Sequence, residues 1–192
     1  MAKKRLSSQS SEFSGEQKKR RREILFGSFL VLIGFLFLVS FLSYFYNWQS
    51  DQSTLEAFFD RNVQSQNILN KLGALTAHFF IYQLFGFSAF IIPCLLCYTG
   101  LVLFFSLNKK RILRQWSWAL CYMTCLMIFL GFYQENNPIL SGLVGFEVND
   151  FLVSYLGRTG LMSILVFTII FILVVQWGLT PEKVVHFFKF LL

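Results

Sequence analysis

The chain has 192 residues, of which 55% are hydrophobic, 19% aromatic and only 14% charged, and its formal net charge is +7. Soluble globular domains carry about 25% charged residues, so this composition excludes an ordinary soluble protein. It favours a membrane protein whose few charges lie in tails and loops.

The first apolar run extends from Ile24 to Tyr46 and contains no Asp, Glu, Lys, Arg or His. As a helix it is about 35 Å long, enough to cross a hydrocarbon core of about 30 Å. No small-residue cleavage site follows it, so we expect a retained anchor rather than a signal peptide. The basic tail 1–23 lacks apolar periodicity and is predicted to be disordered. Gly27 and Gly34 lie on one face of this span and are candidate helix-packing residues, within or between subunits.

The loop 47–71 contributes most of the polar variety outside the spans. It contains four residues that we expect to contact other proteins, namely Asp51, Phe58, Phe59 and Asp60. The mixture of exposed aromatic and acidic side chains is the reason for this hypothesis.

Further apolar stretches predict three more spans, at about 87–107, 116–133 and 161–178. Two shorter stretches, at about 72–85 and 143–156, are predicted to be surface or re-entrant helices. The segment 179–192 has an amphipathic pattern and is expected to lie on the membrane surface as the start of a linker. The predicted fold is therefore an all-α membrane protein with four transmembrane helices in a domain at 24–178.

Basic residues are distributed unevenly among the loops. The segments 1–23, 108–115 and 179–192 contain eight, four and two Lys or Arg residues, whereas 47–71 and 134–158 contain two and one. The positive-inside rule then places both termini and the loop 108–115 in the cytoplasm. Two termini on one side require an even number of spans, in agreement with four.

The two halves of the chain resemble each other in layout. Each has a span, an outer loop, a short helix, a glycine and a second span. Gly73 and Gly86 are thirteen residues apart in the first half, and Gly145 and Gly157 are twelve apart in the second. Because glycine tolerates positive φ, we predict that these four glycines form corners between surface helices and spans.

Several short segments resemble a known family: 51–53, 70–74, 78–82, 85–90 with Pro93, 142–150 and 155–157. Together they are similar to the N-terminal four-span membrane domain of the FtsK/SpoIIIE DNA translocases, in particular those of the Bacteroidota, over about residues 24–180. The resemblance implies a multi-pass protein of the bacterial inner membrane at the division septum. It also implies a homo-oligomer that contacts the lipid bilayer and the periplasmic and membrane division proteins.

The motor of that family would require a G-x-x-x-x-G-K-[ST] phosphate loop. None of the 12 glycines precedes a lysine. We therefore expect no enzyme activity in this chain, and we expect it to contact DNA only through a motor that it does not contain. The chain is then either a domain of a longer protein or a stand-alone relative of the family.

Four cysteines support an alternative interpretation. Cys94 and Cys97 form a C-x-x-C pair, and Cys121 and Cys125 lie four residues apart on the next predicted span. Two such pairs in a four-span protein are typical of membrane thiol oxidases, although thiolates are disfavoured in hydrocarbon. Cys-to-Ser changes at all four positions would distinguish such an enzyme from an anchor or a generic membrane scaffold. His78 and His186 lie far from these thiols in the predicted topology, so we expect no metal site and no cofactor.

Overall fold

The computed structural model describes residues 2–134 and 137–178, with side chains from Gly15 onward and without that of Trp177. All regular elements in these ranges are helical. They are α1 (Ala2–Leu55), α2 (Asn70–Ala77), a π-helix (His78–Phe85), a 3₁₀ helix (Gly86–Phe90), α3 (Ile91–Phe104), a 3₁₀ turn (Lys109–Arg111), α4 (Ile112–Gly131) and α5 (Gly142–Trp177). The amphipathic segment predicted at 179–192, with His186, lies outside the described residues.

Helix α1 is longer than the first predicted span. Its backbone is helical from Ala2, whereas we expected a disordered tail at 1–23, and it continues to Leu55. A kink at Asn47, with φ −120° and ψ 18°, interrupts it next to the predicted end of the span at Tyr46. An apolar segment that has already formed a helix can extend it into a polar neighbour at little cost, because propagation is easier than nucleation.

Three helical segments within the described residues are long and apolar enough to cross a membrane: Gly15–Leu55, Asn70–Phe104 and Gly142–Gln176. Helix α4 has 20 residues and overlaps the predicted span 116–133, but it is not among them. Its first two turns carry Arg114, Gln115 and Ser117, which lower its mean hydropathy. A fourth span therefore stays a prediction, as does the orientation of the chain.

The chain turns sharply at two of the four predicted corner glycines. Gly86 has φ +59° and follows the π-helix, and Gly157 has φ +71° and divides α5 into 142–156 and 158–177. Gly73 and Gly145 instead lie inside α2 and α5 with ordinary helical φ, so the corner role proposed for them was wrong. Close packing explains why glycine occupies these two positions. At position 73, for example, a Cβ would lie 2.3 Å from Asn67 Oδ1.

Two apolar clusters form the core, the first built from the first half of the chain with Ile139 added, and the second built from the second half. The first contains Phe41, Tyr44, Ala77, Ile81, Ala89 and Ile139. The second contains Met127, Ile128, Leu161 and Leu165, and Phe85 packs against both clusters. The halves thus meet at the end of the π-helix.

The backbone itself joins the two halves at this point. Phe87 N–H donates to the carbonyl of Leu140 (2.8 Å). A Cβ on Gly142, which has φ +70°, would lie 2.7 Å from the amide nitrogen of Gly86. The segment that precedes α5 therefore crosses the Gly86 corner at a distance that only glycine permits.

Helix α1 packs against α3 through its glycine face. A Cβ on Gly27 would lie 2.7 Å from the carbonyl oxygen of Gly100, and one on Gly34 would lie 2.7 Å from Cys97 Sγ. The N-terminal part of α1 also caps α3, because the Arg20 guanidinium donates to the carbonyls of Leu103 (3.0 Å) and Phe104 (2.6 Å). A positive charge at a helix C-terminus interacts favourably with the helix dipole.

Candidate functional site

Asp51 is the centre of a buried polar cluster beneath the loop that connects α1 and α2. Its carboxylate accepts hydrogen bonds from Ser65 Oγ (2.5 Å) and from the Asn67 backbone N–H (3.0 Å), and the residue is fully buried. Its second oxygen, Oδ2, has no hydrogen-bond partner among the described residues. The expectation that Asp51 contacts a partner protein was therefore wrong, because the side chain is enclosed by its own loop.

Asn67 connects this cluster to the first span. Its Nδ2 donates to the carbonyl of Ser40 (3.0 Å), and its Oδ1 accepts from the Leu69 N–H (3.1 Å). Ser40 in turn donates to the carbonyl of Gly73 (2.7 Å), and Ser43 accepts from the Ile68 N–H (3.0 Å). The buried polar groups of α1 thus hold the end of the loop and the start of α2 in one position.

Lys71 closes the outer part of the loop. Its Nζ donates to the carbonyls of Ala57 (3.1 Å) and Phe58 (3.0 Å) and also to that of Asp60. Three carbonyls on one ammonium fold the segment 57–60 into a defined turn. An open cleft of about 370 Å³ lies beside this turn, with Phe58, Phe59 and Lys71 among its lining residues.

The remaining three candidate contact residues lie on this turn. Phe59 is 94% exposed and Asp60 is also exposed, whereas Phe58 is half-buried and packs edge-to-face against Phe59 at 5.3 Å between ring centroids. A phenylalanine that is almost completely exposed next to a carboxylate can bury its ring against another protein. We refer to Phe58, Phe59 and Asp60 as the loop tip.

A stack of aromatic rings and one imidazole supports the opposite side of the loop. Tyr44 Oη and His78 Nδ1 share a hydrogen bond (2.8 Å), and the His78 ring stacks on Tyr82 at 4.9 Å. The Trp48 ring stacks on the Tyr82 ring, with 6.1 Å between the ring centroids. His78 is therefore tied to the first span through Tyr44, which places the π-helix against α1.

Two of the four cysteines, Cys94 and Cys97, lie on α3, and the other two, Cys121 and Cys125, lie on α4. All four are free thiols, and Cys97 Sγ lies 3.9 Å from the Val31 carbonyl at the α1–α3 contact. No group of three His, Cys, Asp or Glu side chains in the described ranges could hold a metal ion. Cys97 is thus part of the packing between α1 and α3, whereas Cys94 is exposed.

Gly27 and Gly34 are also engaged within the chain. Their face lies against α3, with Gly100 and Pro93 as close neighbours. The face that we considered for contact between subunits is therefore covered by the chain's own helix. A homo-oligomer would have to use another surface.

Our sequence reasoning missed the polar cluster, although one signal could have indicated it. Ser40 and Ser43 are spaced i, i+3 on one side of an otherwise apolar span. Polar residues in a membrane helix usually face other protein groups, so this spacing predicts a polar contact. Nothing local indicated that Asn67 and Asp51 would meet them.

Comparison with protein families identifies the family of this chain. The model of the 4TM region of DNA translocase FtsK/SpoIIIE matches residues 18–189, which is most of the chain. Searches of curated proteins and of solved structures give no match. The matched region is a membrane region and not the ATPase motor. With its apolar helices and its match over nearly the whole sequence, the chain is a membrane protein that belongs to the family of FtsK/SpoIIIE 4TM regions.

Proposed function

We propose that this chain is the membrane anchor of an FtsK-like DNA translocase, which places the motor at the division septum of the bacterial inner membrane and helps it to assemble. The observation that carries the proposal is the family match over residues 18–189. The anchor acts by position rather than by chemistry. It would link a cytoplasmic motor, and through that motor the DNA, to the site of division.

The uneven distribution of basic residues supports an orientation with both termini and the loop 108–115 in the cytoplasm. With the loop 108–115 in the cytoplasm, the loop tip lies on the periplasmic side. There its exposed Phe59 ring and Asp60 carboxylate are available to the periplasmic parts of other division proteins. The buried cluster around Asp51 supports the loop tip from below, so recognition and support are carried by different residues.

A double alanine variant of the loop tip tests the recruitment step. We expect a fluorescent fusion of the unchanged chain to form a band at midcell during constriction. The combined change Phe59→Ala and Asp60→Ala should reduce the fraction of cells with that band several-fold, because both exposed groups are lost. The amount of protein in the membrane should not change, since neither side chain belongs to a buried cluster.

The matched control is another exposed aromatic and acidic pair, Tyr155 and Asp150, which lies outside the loop 47–71. The combined change Tyr155→Ala and Asp150→Ala should leave the midcell band intact. An unchanged chain that spreads evenly around the envelope would contradict septal placement. An intact band in the loop-tip variant would contradict only the role of Phe59 and Asp60.

A further inference from the structure

A groove between α3, α4 and α5 opens at the end of the bundle that carries the basic loop 108–115. Its wider part, about 600 Å³, is lined by Arg114, Gln115, Trp118, Val175 and Gln176. A narrower part of about 170 Å³ adds Leu95, Tyr98, Ala119 and Tyr122. Because Gln115, Trp118 and Gln176 line both parts, the two form one continuous groove.

Among the described residues, the wider part of the groove is lined by the potential donors of Arg114, Gln115, Trp118 and Gln176 together with Val175, and by no carboxylate. Arg114 is exposed, and within the described part of the chain the ion pair found is between Lys109 and Glu23 (2.5 Å), not at Arg114. Gln176 Oε1 accepts from the Tyr122 hydroxyl, and none of the described residues accepts from its amide group, whose donors can therefore serve a ligand. A guanidinium with neighbouring amide and indole N–H groups favours an anion, and arginine in particular matches the geometry of a phosphate.

The narrower part of the groove extends into the membrane-spanning region. Gln115, Trp118, Ala119 and Tyr122 have the spacing of one helix face and cover about 10 Å along α4. Leu95 and Tyr98 face them from α3, inside the candidate span Asn70–Phe104, whereas Gln176 is the last residue of the candidate span Gly142–Gln176. The donors thus lie at the end of a span, and the apolar walls lie along its length.

We propose that this groove is a binding site for an anionic phospholipid. The phosphate is held by Arg114 with the donors of Gln115 and Gln176, and one acyl chain lies in the narrower part beside Leu95 and Ala119. The polarity of the groove changes along its length in the same way as that of a phospholipid at the membrane surface. A soluble anion would fill the wider part only. The proposal does not depend on septal placement or on a motor.

Native mass spectrometry of the full chain in detergent tests the site. The probes are dioctanoyl phosphatidylglycerol and dioctanoyl phosphatidylcholine, which have the same acyl chains and differ in net charge. We expect phosphatidylglycerol to bind at least tenfold more tightly. Arg114→Gln should weaken its binding about tenfold, the size expected for losing one charge-assisted contact to a phosphate.

Arg111→Gln is the matched control, because Arg111 is exposed in the same loop but does not line the groove. It should bind phosphatidylglycerol like the unchanged chain. Leu95→Trp fills the narrower part and should weaken binding of both lipids while leaving Arg114 in place. Circular dichroism and the unfolding temperature establish that each variant is folded.

Four results would overturn the proposal. Equal affinities for the two lipids would show that the groove does not select a net negative headgroup, because both lipids carry the phosphate and only phosphatidylcholine also carries a cation. Equal losses in Arg111→Gln and Arg114→Gln would indicate a diffuse charge effect rather than a site. Displacement of the lipid by inorganic phosphate would indicate a soluble-anion site, and full affinity in Leu95→Trp would exclude an acyl chain in the groove.

Discussion

At the scale of single residues, Asp51 shows how a buried charge organises a loop. Its Oδ1 accepts from the hydroxyl of the half-buried Ser65 and from the buried Asn67 backbone N–H, for which Ser65 Oγ is a second and more distant acceptor (3.3 Å). An unsatisfied buried donor costs about 1–3 kcal/mol, more than a satisfied one contributes. The carboxylate therefore stabilises the loop mainly through the groups that it satisfies.

Replacing Asp51 by alanine should lower the unfolding free energy of the chain by about 1–3 kcal/mol, because the Ser65 hydroxyl loses its acceptor and the Asn67 N–H keeps only its longer bond to Ser65 Oγ (3.3 Å). Asp51→Asn keeps one acceptor oxygen and should cost clearly less. Glu56→Ala, which removes an exposed acidic side chain from the same loop, serves as the control and should have almost no effect. Unfolding in detergent with increasing denaturant measures all three. Equal losses for Asp51→Ala and Glu56→Ala would be inconsistent with this role.

At the scale of elements, the two corner glycines differ in their surroundings. Gly86 and Gly157 both combine positive φ with extended ψ, a conformation almost restricted to glycine. A Cβ on Gly86 would lie 2.1 Å from the carbonyl oxygen of Leu140, whereas one on Gly157 would meet no atom within 4 Å. The first corner is therefore closed by packing between the halves, and the second faces open space.

This difference predicts a ranking of alanine variants. Gly157→Ala should lower the unfolding free energy by about 1–3 kcal/mol from backbone strain alone. Gly86→Ala should cost more, because the same strain is joined by a clash with a backbone carbonyl that cannot move independently. Gly160→Ala, for which the nearest neighbour would lie at an ordinary 3.5 Å, should be neutral or slightly stabilising. Thermal unfolding of the three variants measures the loss of stability in each. A larger loss in Gly157→Ala than in Gly86→Ala would contradict the ranking.

At the scale of the whole molecule, the open question is whether α4 crosses the membrane. It is 20 residues long, about 30 Å as a helix, but its first two turns are polar. Packing against α5 through Met127 and Ile128 supports it inside the bundle. We therefore expect α4 to span, with its polar first turns at the cytoplasmic surface.

Cysteine labelling from outside the cell tests this topology. In a chain with the four native cysteines changed to serine, Asp60→Cys and Asn137→Cys should react with a membrane-impermeant maleimide in intact spheroplasts. Lys110→Cys should react only after the membrane is opened, because it lies at the other end of α4. Labelling of Lys110→Cys and Asn137→Cys from the same side would mean that α4 does not cross.

Much of this architecture was predictable from local sequence. Apolar length indicated the helices, and the break predicted at Gly86 agrees with its positive φ between the π-helix and the 3₁₀ helix, whereas a surface position for 143–156 stays a prediction. These features depend on residues that are close together in the chain. The helical backbone of 2–23 differs from expectation because helix propagation outweighs local preference, and the ordinary φ of Gly73 and Gly145 differs because close packing does.

Composition and hydropathy were enough to predict that this protein is helical and lies in a membrane, and short segments of glycine and aromatic residues indicated the FtsK/SpoIIIE 4TM family, which the family match confirms. The three-dimensional structure was needed to show that Asp51 is buried, that Gly27 and Gly34 pack on α3, and that the backbone at Gly142 lies against that at Gly86. These contacts join residues far apart in the chain. Their partners are selected by how close two backbones can approach and by which buried polar groups remain to be satisfied, and neither can be read from a local pattern.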